Sequence, residues 1–392
     1  MKRILIVSSV ASMIDQFIMS NVELLKNQNV EVHIATNFIK GNTCTEERIV
    51  SLKERLVQMN VLFYQVDFDR NVFNFSSNFQ AILQLLKITK KIKFDYIHAH
   101  SPIGGVCARI IGTLSKNKVI YTAHGFHFFK GAPKKNWLIY YPIEKILAKY
   151  TDTLITINLE DYYFAKRKLN PNKVKYIPGV GVNINSHHNF NENIKMKIRK
   201  ELGIPVDSKV MLSVGELNDN KNHEYIIDIM SNNIIDKNII YVICGQGEMF
   251  DYYNEKIKKL NLTNKVFLLG FREDVKEMYL MADLFVFPSK REGLPVSIME
   301  AMSNKLPVLC SNIRGNIDLI DENKGGIYIN LYNQSETLFK INHLLKDEEI
   351  LNKFGNYNFK KVMKFNVENV NKELLNVYGI KNRNSLGKVG NI

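Results

Sequence analysis

Short apolar, β-branched runs alternate with amphipathic stretches along most of the chain. KRILIVSS (2–9) reads as a buried strand, IDQFIMSNVELLKNQ (14–28) as an amphipathic helix and VEVHIATN (30–37) as the next strand. FDYIHAH (94–100), KVIYTAH (118–124) and DTLITIN (152–158) repeat the theme. Runs that are apolar throughout, spaced by helical segments, predict parallel sheets built from βαβ units. Near 185–197 the pattern breaks into NSHHNFNENIKMK, polar enough to read as an interdomain linker, followed by a helix that ends at Leu202-Gly203-Ile204-Pro205. A second alternating set follows: KVMLSVG, IIYVICG, KVFLLG, LFVFPS, LPVLCS and GGIYIN. The fold class expected is α/β, with two Rossmann-like doubly wound domains, 1–185 and 195–364, facing across a cleft at the carboxyl ends of their strands. The last helical stretch, about 365–380, is a candidate to pack back on the first domain, and the tail KNRNSLGKVGNI reads as frayed.

Length agrees with that division, because 392 residues exceed what one core usually organises. An apolar fraction of 45% and a charged fraction of 23% exclude wholesale disorder. Cys44, Cys107, Cys244 and Cys310 are scattered, without a Cys-x-x-Cys pair, which predicts a reduced, cytoplasmic protein. The N-terminus has two basic residues before an apolar run, but the run is too short for a secretion signal, and no stretch approaches the roughly 20 apolar residues of a spanning helix. Charge is uneven: residues 1–185 hold 25 lysines and arginines against 13 acids, and residues 186–392 hold 28 against 26. The first half therefore expects an anionic partner, be it nucleic acid, membrane face or phosphorylated substrate.

Candidate chemistry gathers where strands end. In KREGLPVSIMEAM (290–302), Gly293 permits close backbone approach, Pro295 suits the first helical position, and Ile298, Ala301 and Met302 share an apolar stripe opposite Ser297, Glu300 and Asn304. Spacing alone leaves a ligand clamp and a helix start with a solvated glutamate equally open. LSVGELNDNKNHEYIIDI (212–229) puts Lys221 beside a helix start, as a phosphate-neutralising charge or a surface lysine. ICGQGEM (243–249) offers Gly245 and Gly247 as donor-binding candidates, where a backbone lies close to a ligand, but lacks the full dinucleotide fingerprint, so no nicotinamide cofactor is expected. TAHGFHFFKGAPKKNW (122–137) ends a strand at His124 and then mixes aromatics with bases, the composition of a membrane-surface segment or of an ordinary loop and helix. Asp67-Phe68-Asp69 fits a half-buried strand as well as a cation site, and no metal is expected. Arg70, His127, Lys130, Lys134 and Lys135 are the acceptor- and membrane-side candidates.

Together REGLPVSIMEAM, GFREDVKEMYLMADLFVFPS, CGQGEM, GELNDNKNH and TAHGFHF resemble the family-4 retaining glycosyltransferases, more narrowly the branch that builds capsular and exopolysaccharide repeat units. The resemblance spans nearly the whole chain. It implies a GT-B fold, with an N-terminal acceptor domain and a C-terminal nucleotide-sugar domain. It implies that Glu292 contacts donor-sugar hydroxyls, Gly293 and Leu294 offer amides to the diphosphate, and Glu300 holds the ribose. Lys221 then meets the diphosphate, His124 lies beside the reacting sugar, and Arg272 lies near the base. Two positions depart from the pattern. Glu216 stands where the family places an arginine, so that Arg291, Lys290 or Arg272 would have to complete the cationic clamp. The loop after the first strand, SSVASMIDQ, is not glycine-rich, although Ser9, Ala11 and Ser12 are small.

The expectation is thus transfer of a sugar from a UDP-sugar to a lipid-linked saccharide at the inner membrane face, with retention, without a metal or cofactor, and with a donor phosphate oxygen taking the acceptor proton. Lys221 and the Gly293 and Leu294 amides would stabilise the departing diphosphate. Two other classes compete: a non-enzymatic polyanion or nucleic-acid binder, for which no recognised motif appears, and a hydrolase using Glu292 and Glu300 as its carboxylate pair.

Overall fold

The computed structural model describes residues 1–71, 74–184 and 192–381. Most of the polar 185–197 stretch and the tail after residue 381 lie outside the described residues. Two compact units emerge, one of Met1–Val180 with the chain from Glu368 onward, the other Gly181–Val367.

The first unit is a seven-stranded sheet, every pairing parallel, in the order β3-β2-β1-β4-β5-β6-β7. Its strands are β1 Arg3–Val7, β2 Glu31–Thr36, β3 Leu62–Gln65, β4 Tyr96–Ala99, β5 Lys118–Ala123, β6 Thr153–Thr156 and β7 Val174–Tyr176. The central strands are buried along nearly their whole length because helices cover both faces, which is why they read as continuous apolar runs rather than alternations. One face packs Ile4, Ile6, Val22 and Leu52 with Val370, Leu374 and Tyr378; the other packs Leu5, Val7, Leu85, Ala108 and Ala148. Val370 and Leu374 are spaced i, i+4 on the helix Val367–Val377, whose apolar stripe the first unit buries. Lys2 Nζ then donates to the Tyr378 carbonyl at 2.6 Å.

The stretch after β1 is less uniform than expected. A π-helical turn, Ile14–Ile18, interrupts the helix, keeping Ile14 and Ile18 buried while Phe17 is exposed. The Ser9 amide donates to Ser101 Oγ at 2.8 Å and the Ser12 amide to Asn42 Oδ1 at 2.9 Å, so both are engaged within the unit. The Asp67-Phe68-Asp69 segment follows β3 instead of belonging to it. Val66 and Phe68 are buried, whereas Asp67 accepts from the Gln65 and Gln84 amides and Asp69 from Asn71 and Asn74.

The second unit is a six-stranded sheet, also parallel throughout, in the order β10-β9-β8-β11-β12-β13. These are β8 Lys209–Val214, β9 Ile239–Cys244, β10 Val266–Leu268, β11 Leu284–Phe287, β12 Val308–Ser311 and β13 Gly326–Ile329. The linker reading of 185–197 is corrected at its end. The helix Glu192–Glu201 belongs to this unit, with Lys195 paired to Asp283 at 2.8 Å and buried Arg199 donating to the carbonyls of Met281, Val206 and Ser208. The helix expected to end at Leu202 thus begins earlier than its composition suggested, because Lys195 and Arg199 hold it through charged contacts beside buried Ile198.

Candidate active site

In the second unit the strand order reverses between β8 and β11, where doubly wound sheets bind ligands beyond the strands' carboxyl ends. The loop leaving β8 turns through Asn222, at φ +56°, into the helix His223–Met230. Three hydrogen bonds lash it to the loop leaving β11: Asn222 Nδ2 to the Pro288 carbonyl at 3.2 Å, the Lys290 amide to the Asn220 carbonyl at 2.8 Å, and Asn220 Nδ2 to the Arg291 carbonyl at 2.9 Å. So tied, Lys221 Nζ meets Glu292 Oε1 at 2.7 Å, both side chains largely buried, with the ammonium 4.8 Å from the centre of the Phe287 ring. Lysine has three N–H donors, and a single carboxylate contact leaves donors for a further anion.

Gly293 and Leu294 continue from Glu292 toward the helix Val296–Ser303. Pro295 is extended, at ψ 121°, and caps that helix rather than opening its first turn. Ile298, Met299, Ala301 and Met302 are buried, as the stripe required. Glu300, on the same helix, accepts from the Tyr279 hydroxyl at 2.8 Å; burial pushes its carboxyl up and that hydrogen bond opposes the shift.

Other members of the predicted set have local partners. Gly245 and Gly247 serve the chain's own packing: a Cβ on Gly245 would lie 1.8 Å from the Gly215 carbonyl oxygen, and one on Gly247 2.4 Å from that of Leu217. Arg272 is held by both carboxylate oxygens of Asp274, and Lys290 by Asp219 at 2.6 Å, so these two stand-ins for the missing arginine are already engaged. Glu216 is exposed, one residue beyond Gly215, against which the Lys221 stem lies. Sequence reasoning missed Arg314, a buried arginine after β12 whose Nε donates to the Glu292 carbonyl at 3.3 Å.

In the first unit His124 follows β5 and lines a cavity of about 30 Å³ together with Phe17, Asn21, His100, Thr122 and Asn371. Burial pushes its imidazole down to about 4, so it is neutral near pH 7. The next turn is fixed by Asp161, which accepts from the Phe126 amide at 3.0 Å. His98 and His100 were not singled out, although the strand-end rule that found His124 applies equally to His100. His127 packs its ring 4.6 Å from Tyr140, the Lys130 amide donates to Glu160, and Lys134 and Lys135 open the helix Lys134–Ala148 with exposed side chains. Arg70 follows β3; its stem lies against Gly41, to whose carbonyl it donates. Among the described residues no group of three or more His, Cys, Asp and Glu side chains is arranged to hold a metal ion, and no helix is long and apolar enough to cross a membrane.

Known proteins resemble this chain in sequence and in fold. Residues 194–361 match the family model for glycosyl transferases group 1, and residues 3–158 that for glycosyl transferase 4-like proteins. The EpsD protein of Bacillus subtilis (strain 168) is 31% identical over 384 residues, 96% of either chain. The UDP-Gal:alpha-D-GlcNAc-diphosphoundecaprenol alpha-1,3-galactosyltransferase of Escherichia coli is 33% identical over 282 residues, 70% of this chain and 72% of that one. Among solved structures, Anabaena Alr3699/HepE in complex with UDP and glucose has a TM-score of 0.78 over 97% of this chain and 100% of that chain; at 17% identity the likeness is one of fold.

Proposed function

The chain belongs to the glycosyl transferases of group 1, and we propose that it moves a hexose from a UDP-sugar to a lipid-linked saccharide with retention at the anomeric carbon. The observation that carries this reading is the Lys221–Glu292 pair, held at 2.7 Å by two interlocked loops at the strand-order reversal. A cation and a hydroxyl acceptor in contact suit a ligand whose phosphate adjoins a sugar. As the glycosidic bond breaks, charge accumulates on the departing diphosphate; Lys221 and the amides of Gly293 and Leu294 stabilise it. Glu292 holds sugar hydroxyls, Glu300 the ribose, and His124 the reacting sugar. The donor is a substrate in this scheme, and no metal or cofactor is assigned a step. A hydrolytic role for the two glutamates is disfavoured by their engagement, one in an ion pair and the other under a tyrosine hydroxyl.

The lipid-linked acceptor is supported by the name of the Escherichia coli relative, and the membrane side by helix faces. Phe75, Phe79 and Leu83 stand exposed at i, i+4, i+8 on the helix Phe75–Lys91, which carries no acidic residue and ends in Lys87, Lys90 and Lys91. Leu138 and Ile146 are exposed between Lys134, Lys135, Lys145 and Lys149, and the single acid of that helix, Glu144, is buried against Arg109 at 2.7 Å. Apolar rows flanked by lysines suit the anionic inner face of a cell membrane.

Turnover of UDP-hexoses with a polyprenyl-diphosphate saccharide tests the reaction, with the product anomer read by NMR; an inverted anomer defeats the retaining mechanism. Stabilisation by UDP in a thermal titration is expected, and tight RNA binding without it would favour the polyanion reading. Binding to anionic liposomes should weaken with salt and in Phe75→Ser/Phe79→Ser, whereas equal binding to neutral liposomes removes the electrostatic part.

A further inference from the structure

Behind His124 lies a row of buried polar rings. His98, on β4, is fully buried; its Nε2 meets the Thr122 hydroxyl at 2.8 Å and its Nδ1 the hydroxyl of Tyr378, delivered by the returning C-terminal helix. The His98 and His100 ring centres are 4.0 Å apart. His100 Nδ1 lies 3.3 Å from His124 Nε2, and the other ring nitrogen of His100, Nε2, is buried without a partner among the described residues. Burial holds all three imidazoles below their ordinary range, so each is neutral near pH 7 and carries one N–H and one lone pair.

Two proton arrangements fit the 3.3 Å contact. If His124 donates from Nε2, the proton of His100 is left on its own Nε2, a buried N–H with no acceptor. If His100 donates from Nδ1, its unpartnered atom is a lone pair, and the proton of His124 sits on Nδ1. An orphaned buried N–H is the rarer and costlier defect, which selects the second arrangement. His124 then offers an N–H from Nδ1.

We propose that His100 is a positioning residue that fixes His124 as its Nδ1–H tautomer, and that Tyr378, through His98, holds His100 in place. The inference rests on the reading of His124 as facing the reacting sugar, where a donor can meet oxygen that gains charge in the transition state. It also gives the C-terminal helix a part in the reaction, since Tyr378 is anchored at its carbonyl by Lys2 and at its hydroxyl by His98.

Long-range proton–nitrogen correlation spectra of the full chain, labelled with ¹⁵N-histidine, distinguish a protonated ring nitrogen from a bare one. His124, assigned by the signals lost in His124→Gln, is expected protonated at Nδ1 near pH 7.5; protonation at Nε2 overturns the proposal. In His100→Asn the amide nitrogen stands near the former Nδ1, so the tautomer and most of kcat are expected to survive. His100→Leu is expected to lose the Nδ1–H form and to lower kcat about 100-fold with donor KM little changed. Should that variant not fold, the wild-type and Asn spectra still decide. Tyr378→Phe keeps the ring and is expected to lower kcat about tenfold at constant KM; unchanged kcat with unchanged His98 and His100 signals removes Tyr378 from the scheme. Wild-type kcat in His124→Ala would instead defeat the underlying reading of His124 and leave the tautomer assignment standing.

Discussion

Lys221 and Glu292 restrain one another, so each substitution in the pair has two effects. Lys221→Met keeps a stem that can lie against Gly215 but removes the charge, and kcat is expected to fall at least about 100-fold, with Glu292 left without its ion pair. Glu300→Gln separates ribose binding from chemistry: donor KM should rise about tenfold with kcat nearly unchanged, and a collapse of kcat at saturating donor would return Glu300 to a chemical role. Because burial raises the Glu300 carboxyl, the wild-type donor KM should also begin to rise on acidification at a higher pH than for an ordinary carboxylate. Glu216→Arg adds the missing cation beside the Lys221 stem and should tighten UDP binding; equal affinity would mean that position 216 faces away from the diphosphate. Lys221, Glu292, Glu300 and His124 could be proposed from the sequence because each lies beyond a strand's carboxyl end, in the loop or the helix that follows, where parallel folds bind ligands. Arg314 and His100 were not proposed. What draws attention to them is contact with Glu292 and with His124, partners that lie 22 and 24 residues away in sequence.

Strands were the most legible elements, since helices on both faces forced long apolar runs that periodicity detects. Of the helix Glu192–Glu201 only the end was legible, as the helix running up to Leu202; its first residues read as linker because Lys195 and Arg199 secure it through Asp283 and backbone carbonyls, with Ile198 the one buried apolar side chain. The return of the C-terminal helix was half legible: Val370 and Leu374 announce a buried stripe without naming the surface that buries it. Gly245 and Gly247 show how one local signal supports two explanations. A backbone close to a ligand was expected there, but the backbone that approaches both glycines is the 215–217 loop, which accounts for them without a ligand. Gly247→Ala would press a methyl group onto the Leu217 backbone, where neither side can rotate away. It should therefore destabilise the second unit by about 3 kcal/mol and displace the loop carrying Lys221. A lowered melting temperature with weakened UDP binding is the expected pair of outcomes, and wild-type values for both would mean that the two loops are free to separate.

At the scale of the whole molecule, the buried imidazoles make folding depend on pH. Burial pushes His98 and His223 down to about 3 and His124 to about 4, and holds His100 well below its ordinary value; His223 lies in the second unit, so both units are affected. In the unfolded chain these histidines titrate near 6.5, as free imidazoles do. Between that value and their folded ones the unfolded state binds more protons, so stability is complete above about pH 6.5 and drains as pH falls toward 4. The slope is at most about 1.4 kcal/mol per pH unit for each histidine. Glu300 works in the opposite sense, because its carboxyl is raised and acid favours the folded form at that position. Four imidazoles against one carboxyl leave a net loss, and melting temperatures measured from pH 7.5 to 4.5 should begin to fall near 6.5, before carboxylates of ordinary pKa titrate. A flat profile down to pH 5 would mean that the histidines reach water in the folded protein. The buried, neutral row behind His124 would then lose its basis.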